Sequence, residues 1–294
     1  MALFTPASPT TTRITKPTHA LGLWHLLSLD APTVATLWTW FVARTIHLTL
    51  PTAGLLGMFF AVWMLYAADR LLDARQLFSA PLSTEHLEAR HLFHHRHRTI
   101  FLTGIVAAST ILAFLLPRLR PAVIHLYLIL GVFLAGYFIL IHASDHRLPK
   151  EIAVGIFFAA ATFIPTVGNR PNLRLALLPS AILFSAVCSL NCLFIYAWEH
   201  EDPHHISIYP PTYPQAHPIT RIALRHLPLL SLIIVAAGLT SAILHQPTYA
   251  IPLAAALSSA LLLILHCLRH TLSPITLRAS ADLALLTPLL WLLR

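Results

Sequence analysis

Charged residues are scarce in this chain of 294 residues: Asp, Glu, Lys and Arg together make up 10% of it, against about 25% in soluble domains. Apolar residues make up 57%, and the mean hydropathy is +0.73. This balance excludes an ordinary soluble domain and predicts an all-α membrane protein. No basic tract is interleaved with aromatic residues, so the formal charge of +8 predicts positively charged cytoplasmic loops and no nucleic-acid partner.

Cysteine is scarce as well. The three cysteines, Cys188, Cys192 and Cys267, lie in apolar runs without a CxxC pair, and we interpret them as small buried residues. The first twenty residues lack the apolar stretch of a cleavable signal and are rich in Thr and Pro. We therefore expect a disordered cytoplasmic tail over residues 1–20 and a single transmembrane helical domain over residues 21–294.

Long apolar runs bounded by Pro, Gly or charge fill most of the chain, and each run predicts one membrane span of about 20 residues. A shorter apolar stretch over residues 21–29 predicts an interfacial helix that leads into the bundle. The nine predicted spans are 31–50, 52–72, 99–117, 121–141, 151–168, 173–198, 227–245, 248–268 and 278–293.

The distribution of Lys and Arg predicts the orientation. With a cytoplasmic N-terminus, most of the 19 basic residues fall on the cytoplasmic side, as the positive-inside rule requires. The two longest loops, 73–98 and 199–226, then share that face, where we expect the functional site. We expect an integral protein of a bacterial inner membrane. The basic residues on the opposite face are Arg118, Arg120, Arg170, Arg174 and Arg294.

Five carboxylates mark the ends of two predicted spans. Asp69 and Asp73 stand four residues apart at the end of the second span and share one helix face. An Asp at the centre of a bilayer costs roughly 2.5–3.5 kcal/mol on insertion scales, so such a pair predicts a functional site. Glu199, Glu201 and Asp202 end the sixth span. If the two ends face each other, they form an acidic mouth at the membrane surface.

An acidic mouth of this kind suits Mg²⁺, which prefers carboxylate oxygens and is commonly shared with substrate phosphates. Nearby cations can neutralise the phosphate oxygens directly, and an apolar tunnel below the mouth can hold a lipid tail. Metal and cations would then stabilise a departing diphosphate, while the dry cavity protects the electrophilic carbon from water. The candidate diphosphate-binding cations are Arg70, Arg75, Arg147 and Lys150.

Three segments resemble motifs of the UbiA superfamily of intramembrane prenyltransferases. Asp69-Arg70-Leu71-Leu72-Asp73 looks like the last two aspartates of that family's first motif, N-x-x-x-D-x-x-x-D. The segment 137–155, which contains Leu148-Pro149-Lys150-Glu151, is similar to the family's Tyr and Lys/Arg segment before the fifth span. Residues 191–202 stand in the place of the second acidic motif. In topology, the resemblance covers nearly the whole chain.

The resemblance implies a nine-helix bundle around a central cavity, in which Mg²⁺-dependent transfer moves a prenyl group from a prenyl diphosphate to a lipophilic, often aromatic, acceptor. It implies catalytic roles for Asp69, Asp73 and Lys150, and it places Asn191 with the diphosphate-binding groups. Leu65 departs from the family, because it stands where the first motif has Asn, and the second motif lacks a regular D-x-x-x-D. The implied metal ligands are Asp69, Asp73, Glu199, Glu201 and Asp202.

Two other functions stay open. Intramembrane carboxylates are typical of transporters that couple to ions or protons. The altered second motif also fits a degenerate family member that binds a lipid without chemistry.

Several polar residues have simpler interpretations. Asp69 and Asp73 could pair with the neighbouring arginines and merely end their helix. We interpret the His-rich segment 91–98 as a basic interfacial helix, although His91 and His95, four residues apart, leave metal ligation open. Asn191 either bonds a neighbouring helix or lines a cavity. For Asp282 we expect a structural pair with a basic residue such as Arg278.

Overall fold

The computed structural model describes residues 20–79, 93–94, 96–143, 149–200, 216–244 and 248–292. Within these ranges the chain forms helices and no strand. The α-helices are α1 (Ala20–Leu26), α2 (Asp30–Thr45), α3 (Thr52–Ser79), α4 (Arg98–Leu115), α5 (Pro121–Ala143), α6 (Lys150–Asn169), α7 (Arg174–Glu199), α8 (Pro218–Arg225), α9 (Leu227–Leu244), α10 (Ala250–Leu268) and α11 (Pro274–Leu283).

Seven of the described helices, α3 to α7, α9 and α10, are long and apolar enough to cross a membrane. Their apolar segments agree with seven of the predicted spans to within three residues at each end. This agreement has a physical cause. A run of about 20 apolar residues can enter the bilayer only as a helix, because its backbone N–H and C=O groups then bond one another. The expected class, an all-helical membrane protein, is confirmed.

The first and last predicted spans differ from the expectation. α2 has 16 residues and is about 24 Å long, and His47 follows it with a left-handed backbone, φ 55°. α11 has 10 residues, and a short 3-10 helix, Thr287–Trp291, follows it after a turn. Neither segment alone reaches the roughly 30 Å of a bilayer core, so the expected count of nine is not confirmed. Residues 1–19 of the expected tail lie outside the described ranges.

The outer surface of the bundle is apolar. Large side chains of α4 and α5 are mostly exposed, among them Phe114 at 74%, Val132 at 72% and Phe133 at 66%. A contiguous patch of this kind would drive association in water, whereas lipid tails solvate it without cost. These two helices therefore present their faces to the bilayer.

α2 lies in the interior of the bundle, against α3, α6 and α11. Trp38 of α2 is fully buried and stacks on Phe184 of α7 with ring centroids 4.0 Å apart. Its indole Nε1 donates a hydrogen bond to the carbonyl oxygen of Leu285, 2.7 Å away, so its one polar group is satisfied. Through Trp38, α2 is bound both to α7 and to the turn after α11.

α6 and α7 approach each other to backbone contact at Gly155. A Cβ atom built on Gly155 would lie 2.5 Å from the backbone nitrogen of Ser189 and 2.8 Å from its Cα atom. No flexible side chain can move aside to relieve that contact. Small residues commonly permit such close packing between membrane helices.

We predict that Gly155→Ala destabilises the folded protein by about 1–3 kcal/mol, because the added methyl group forces two helix backbones apart. Thermal unfolding in detergent measures the effect. Gly131→Ala is the matched control, since a Cβ on Gly131 meets nothing within 4 Å. Equal melting temperatures for the two variants would contradict the proposed contact.

Candidate functional site

Charged residues of three spanning helices meet at one end of the bundle, which we call the polar end. α3 and α7 finish there and α6 begins there, so Asp69, Lys150 and Glu199 come to the same side. Lys150 Nζ lies 3.8 Å from Asp69 Oδ1. Glu199 forms an ion pair with Arg278 of α11. Antiparallel neighbours thus bring together residues that lie far apart in the sequence.

The two ion pairs differ in exposure. The side chains of Asp69 and Lys150 are 49% and 56% exposed, so both remain within reach of a ligand. Glu199 and Arg278 are more covered, at 28% and 16%. The pair of Asp69 and Lys150 thus forms an open rim, where an exposed ion pair contributes little stability by itself.

Arg70, the residue next to Asp69, is buried. Its Nη1 donates to the carbonyl oxygen of His25 over 2.9 Å, and its Nη2 donates to Asp30 Oδ2 over 3.4 Å. The side chain therefore binds α3 to the end of α1 and to the start of α2. Arg70 is a predicted diphosphate-binding residue, but its guanidinium bonds two acceptors within the protein. Lys150, in contrast, is exposed.

Asp30 is the acceptor at the centre of these contacts and is 1% exposed. Its Oδ2 lies 2.6 Å from His25 Nδ1, and its Oδ1 accepts the backbone N–H of Ala31 over 3.0 Å. Burial lowers the pKa of His25 below its usual value, although the carboxylate of Asp30 opposes that change.

Asp282 of α11 completes the buried group. The amide Nδ2 of Asn191 donates to Asp282 Oδ1 over 3.1 Å. A ring nitrogen of His25 and one carboxylate oxygen from each of Asp30 and Asp282 all lie within 4.8 Å of one another. Two carboxyl groups this close in a buried place repel each other unless a proton or a cation stands between them. We call His25, Asp30, Asp282 and Asn191 the buried cluster.

A small, partly open recess lies beside this cluster. Asn191 supplies an amide group to its wall and Asp282 a carboxyl group, and Tyr66 of α3 also lines it. The remaining wall consists of small or apolar side chains. The other lining residues are Ala31, Val34, Val154, Gly155, Phe158, Cys188, Cys192 and Leu285.

Asn191 and Glu199 lie at different positions along the axis of α7. Eight residues separate them on α7, which corresponds to about 12 Å along the axis. Asn191 therefore belongs to the recess, while Glu199 stands at the rim, and a contact between Asn191 and a diphosphate would require the ligand to enter the recess. Of the two interpretations left open for Asn191, the structure supports both: it bonds Asp282 of a neighbouring helix and lines a cavity.

Five predicted site residues lie wholly or partly outside the described part of the chain. Arg147, Glu201 and Asp202 lie outside the described residues. Asp73 and Arg75 belong to α3, one turn or more beyond Asp69, and only their backbone is among the described parts of the chain. Arg278, the expected partner of Asp282, pairs with Glu199, and so the structure gives that arginine a role at the rim.

The His-rich segment is described at residues 93–94 and 96–98. His94 is fully buried, stacks on Phe101 at 4.2 Å between ring centroids and lies 3.2 Å from Ser28 Oγ through its Nε2. His97 Nδ1 lies 2.9 Å from the carbonyl oxygen of Phe93. These two histidines are packing and hydrogen-bonding groups. His91 and His95, the spacing that left metal ligation open, are outside the described residues.

Sequence reasoning missed the roles of His25 and Asp30. It assigned residues 21–29 to an interfacial helix and Asp30 only to the start of a span. One signal was present: Asp30 and Asp282 are acids that stand in apolar segments, where an unpaired carboxylate is costly. Their proximity, which depends on how α2 and α11 pack, has no counterpart in local sequence.

Comparison with models of known protein families, with characterised proteins and with solved structures finds no match for this chain.

We predict that Arg70→Met destabilises the protein by about 3 kcal/mol, because it leaves the buried Asp30 without its guanidinium partner. Adding Asp30→Asn to that variant should restore part of the loss, since the buried charge is then gone. Thermal unfolding in detergent measures both changes. Lys150→Met is the control and should unfold close to the unsubstituted protein, because its pair is exposed. Similar losses for Arg70→Met and Lys150→Met would contradict the difference in burial.

Proposed function

We propose that this protein is an intramembrane prenyltransferase that uses Mg²⁺ to move a prenyl group from a prenyl diphosphate to a lipophilic, often aromatic, acceptor. The proposal rests on the resemblance of the segments around Asp69, Lys150 and Asn191 to the UbiA superfamily. It is supported by an observation independent of that resemblance: Lys150 Nζ lies 3.8 Å from Asp69 Oδ1 at the polar end.

The contact of Asp69 and Lys150 carries the proposal because a diphosphate site needs both kinds of group side by side. A carboxylate supplies an oxygen ligand for Mg²⁺, and an ammonium binds phosphate as a point charge. Both side chains are about half exposed, so each can exchange its partner for a ligand at small cost. A phosphate oxygen between the metal and Lys150 would replace the direct ion pair.

Glu199 and Arg278 repeat the same combination of carboxylate and cation at the polar end. The carboxylate oxygens of Asp69 and Glu199 fit the preference of Mg²⁺ for hard ligands. In this proposal Asp73, Glu201 and Asp202 are further metal ligands, and Arg75 and Arg147 are further diphosphate-binding cations. When bound, the metal would supply charge stabilisation for the departing diphosphate.

The chain's own residues would then position the substrate and exclude water. Lys150 and Arg278 hold the phosphates at the rim, while the recess below, with Tyr66 and Phe158 in its wall, receives the reacting end of a lipophilic group. A dry, largely apolar wall protects an electrophilic carbon from hydrolysis. The proposal also includes insertion of α2 and the C-terminal segment as two further membrane elements, and a cytoplasmic polar end in a bacterial inner membrane.

Binding of a non-hydrolysable substrate analogue tests this function. We expect the protein in lipid nanodiscs to bind farnesyl S-thiolodiphosphate only when millimolar Mg²⁺ is present. Asp69→Asn, Asp73→Asn and Lys150→Gln should each weaken binding about tenfold or more, since each removes a charge that the proposal assigns to the metal or to the phosphates. Isothermal titration calorimetry measures the affinity.

Arg174→Gln is the matched control, because Arg174 begins α7 at the other end of the bundle. Its affinity for the analogue should equal that of the unsubstituted protein. A protein that binds the lipid chain but shows no Mg²⁺-dependent affinity for the analogue would contradict the transferase and favour a lipid-binding member without chemistry.

A transporter is the second candidate, and the buried carboxyl of Asp30 beside the half-buried carboxyl of Asp282 favours it. Ion- and proton-coupled transporters commonly carry such groups inside the bundle. This alternative predicts proton or cation flux across proteoliposomes, detected with a dye in the lumen, and loss of that flux in Asp282→Asn. The transferase predicts no flux in either protein.

A further inference from the structure

The buried cluster lies outside the motifs that carry the proposed function. Its members come from four segments: His25 from α1, Asp30 from the first position of α2, Asp282 from α11 and Asn191 from α7. Three of them place one potential ligand atom each within 4.8 Å of the others. Ligand atoms around one ion lie about that close or closer, so the spacing is compatible with a single shared cation.

Asn191 provides a second and independent observation. Its side chain lines the recess, and the residue is only 6% exposed. While Nδ2 donates to Asp282, the amide oxygen Oδ1 is buried and has no hydrogen-bond partner. An unsatisfied buried amide oxygen costs about 1–3 kcal/mol. A cation in the recess would satisfy this oxygen and neutralise Asp282 at the same time.

The charge of the cluster also favours a bound cation. Asp30 and Asp282 offer two carboxylates, and Arg70 supplies a single positive charge through Asp30 Oδ2. Three groups contact Asp30: the His25 Nδ1 and the Arg70 Nη2 at Oδ2, and the Ala31 N–H at Oδ1. The carboxyl group of Asp282 is a further neighbour of Asp30. A cation bound here would displace the hydrogens that Asp30 shares with His25 and Asp282, and it would balance the charge of both carboxylates.

We propose that His25, Asp30, Asp282 and Asn191 bind one divalent first-row transition-metal cation, of which Mn²⁺ is the representative. One imidazole nitrogen with three oxygen ligands fits this class, because imidazole selects transition metals over Mg²⁺, and oxygen ligands suit Mn²⁺. The site would join α1, α2, α7 and α11 beside the recess. It is separate from the Mg²⁺ rim at Asp69 and does not depend on the proposed function.

The test uses the full-length protein, stripped of metal with a chelator and titrated with Mn²⁺ in detergent. Excess Mg²⁺ is kept present to occupy the rim. We expect one tightly bound Mn²⁺ per chain, seen by electron paramagnetic resonance, and a higher melting temperature as the ion binds the folded state. Pulsed measurements should show nitrogen modulation from a directly bound imidazole.

His25→Gln and Asp282→Asn should each weaken Mn²⁺ binding about tenfold or more, because each removes a ligand. The nitrogen modulation should vanish in His25→Gln. Asp69→Asn is the matched control and should retain the ion, its affinity and its spectrum. Asn191→Asp, which adds a charged oxygen at a ligand position, should bind Mn²⁺ more tightly than the unsubstituted protein, and this variant keeps the test valid if the others do not fold.

Three results would overturn the site: no Mn²⁺ bound by the unsubstituted protein, bound Mn²⁺ without nitrogen modulation, or equal loss of the ion in Asp69→Asn. The first of these would indicate that a proton shared by the two carboxyl groups fills the cluster. Loss of analogue binding in Asp69→Asn with Mn²⁺ binding intact would separate this site from the prenyl-transfer site.

Discussion

The buried carboxylate of Asp30 is the constraint on which the polar end depends. Removing a carboxylate from water costs several kcal/mol unless partners surround it, and Asp30 is 1% exposed. His25, Arg70 and the backbone of Ala31 are those partners, and they belong to α1, α3 and α2. The partners that stabilise this one buried carboxylate therefore hold three segments together. Asp282, which lies nearby, adds α11 to the same group of contacts.

Charged groups at this end form two layers with different tasks. The outer layer, Asp69 with Lys150, is exposed, so its Coulomb energy is small and its partners can be exchanged for ligands. Arg70 and Asp30 of the inner layer are buried, where loss of one partner is costly. Adjacent residues of one helix, Asp69 and Arg70, thus serve opposite purposes: the first remains available for binding, and the second holds the structure together.

Local information was enough to predict seven spans, because hydropathy and helix-breaking residues act within about 20 residues. It failed at α2 and α11, where the chain is apolar but the helices end early. The nearness of Asp69 to Lys150 was expected from topology, since both were assigned to one face. The partners of Arg70 and Asp282 were not expected, because they depend on side-chain packing between segments distant in sequence. Asn191 was recognised as polar and buried, yet only the structure places Asp282 beside it.

The backbone contact at Gly155 has a mechanical consequence. α6 and α7 touch through Gly155 and Ser189, and Ser189 Oγ also donates to the Ile152 carbonyl, so separating the two helices would break a backbone contact and a hydrogen bond together. Lys150 begins the first of them and Glu199 ends the second, so moving these two rim residues apart would strain the contact at Gly155. The contact of α3 with α6 at Asp69 and Lys150 is an exposed ion pair, which costs less to break, so the polar end opens more readily on the side of α3.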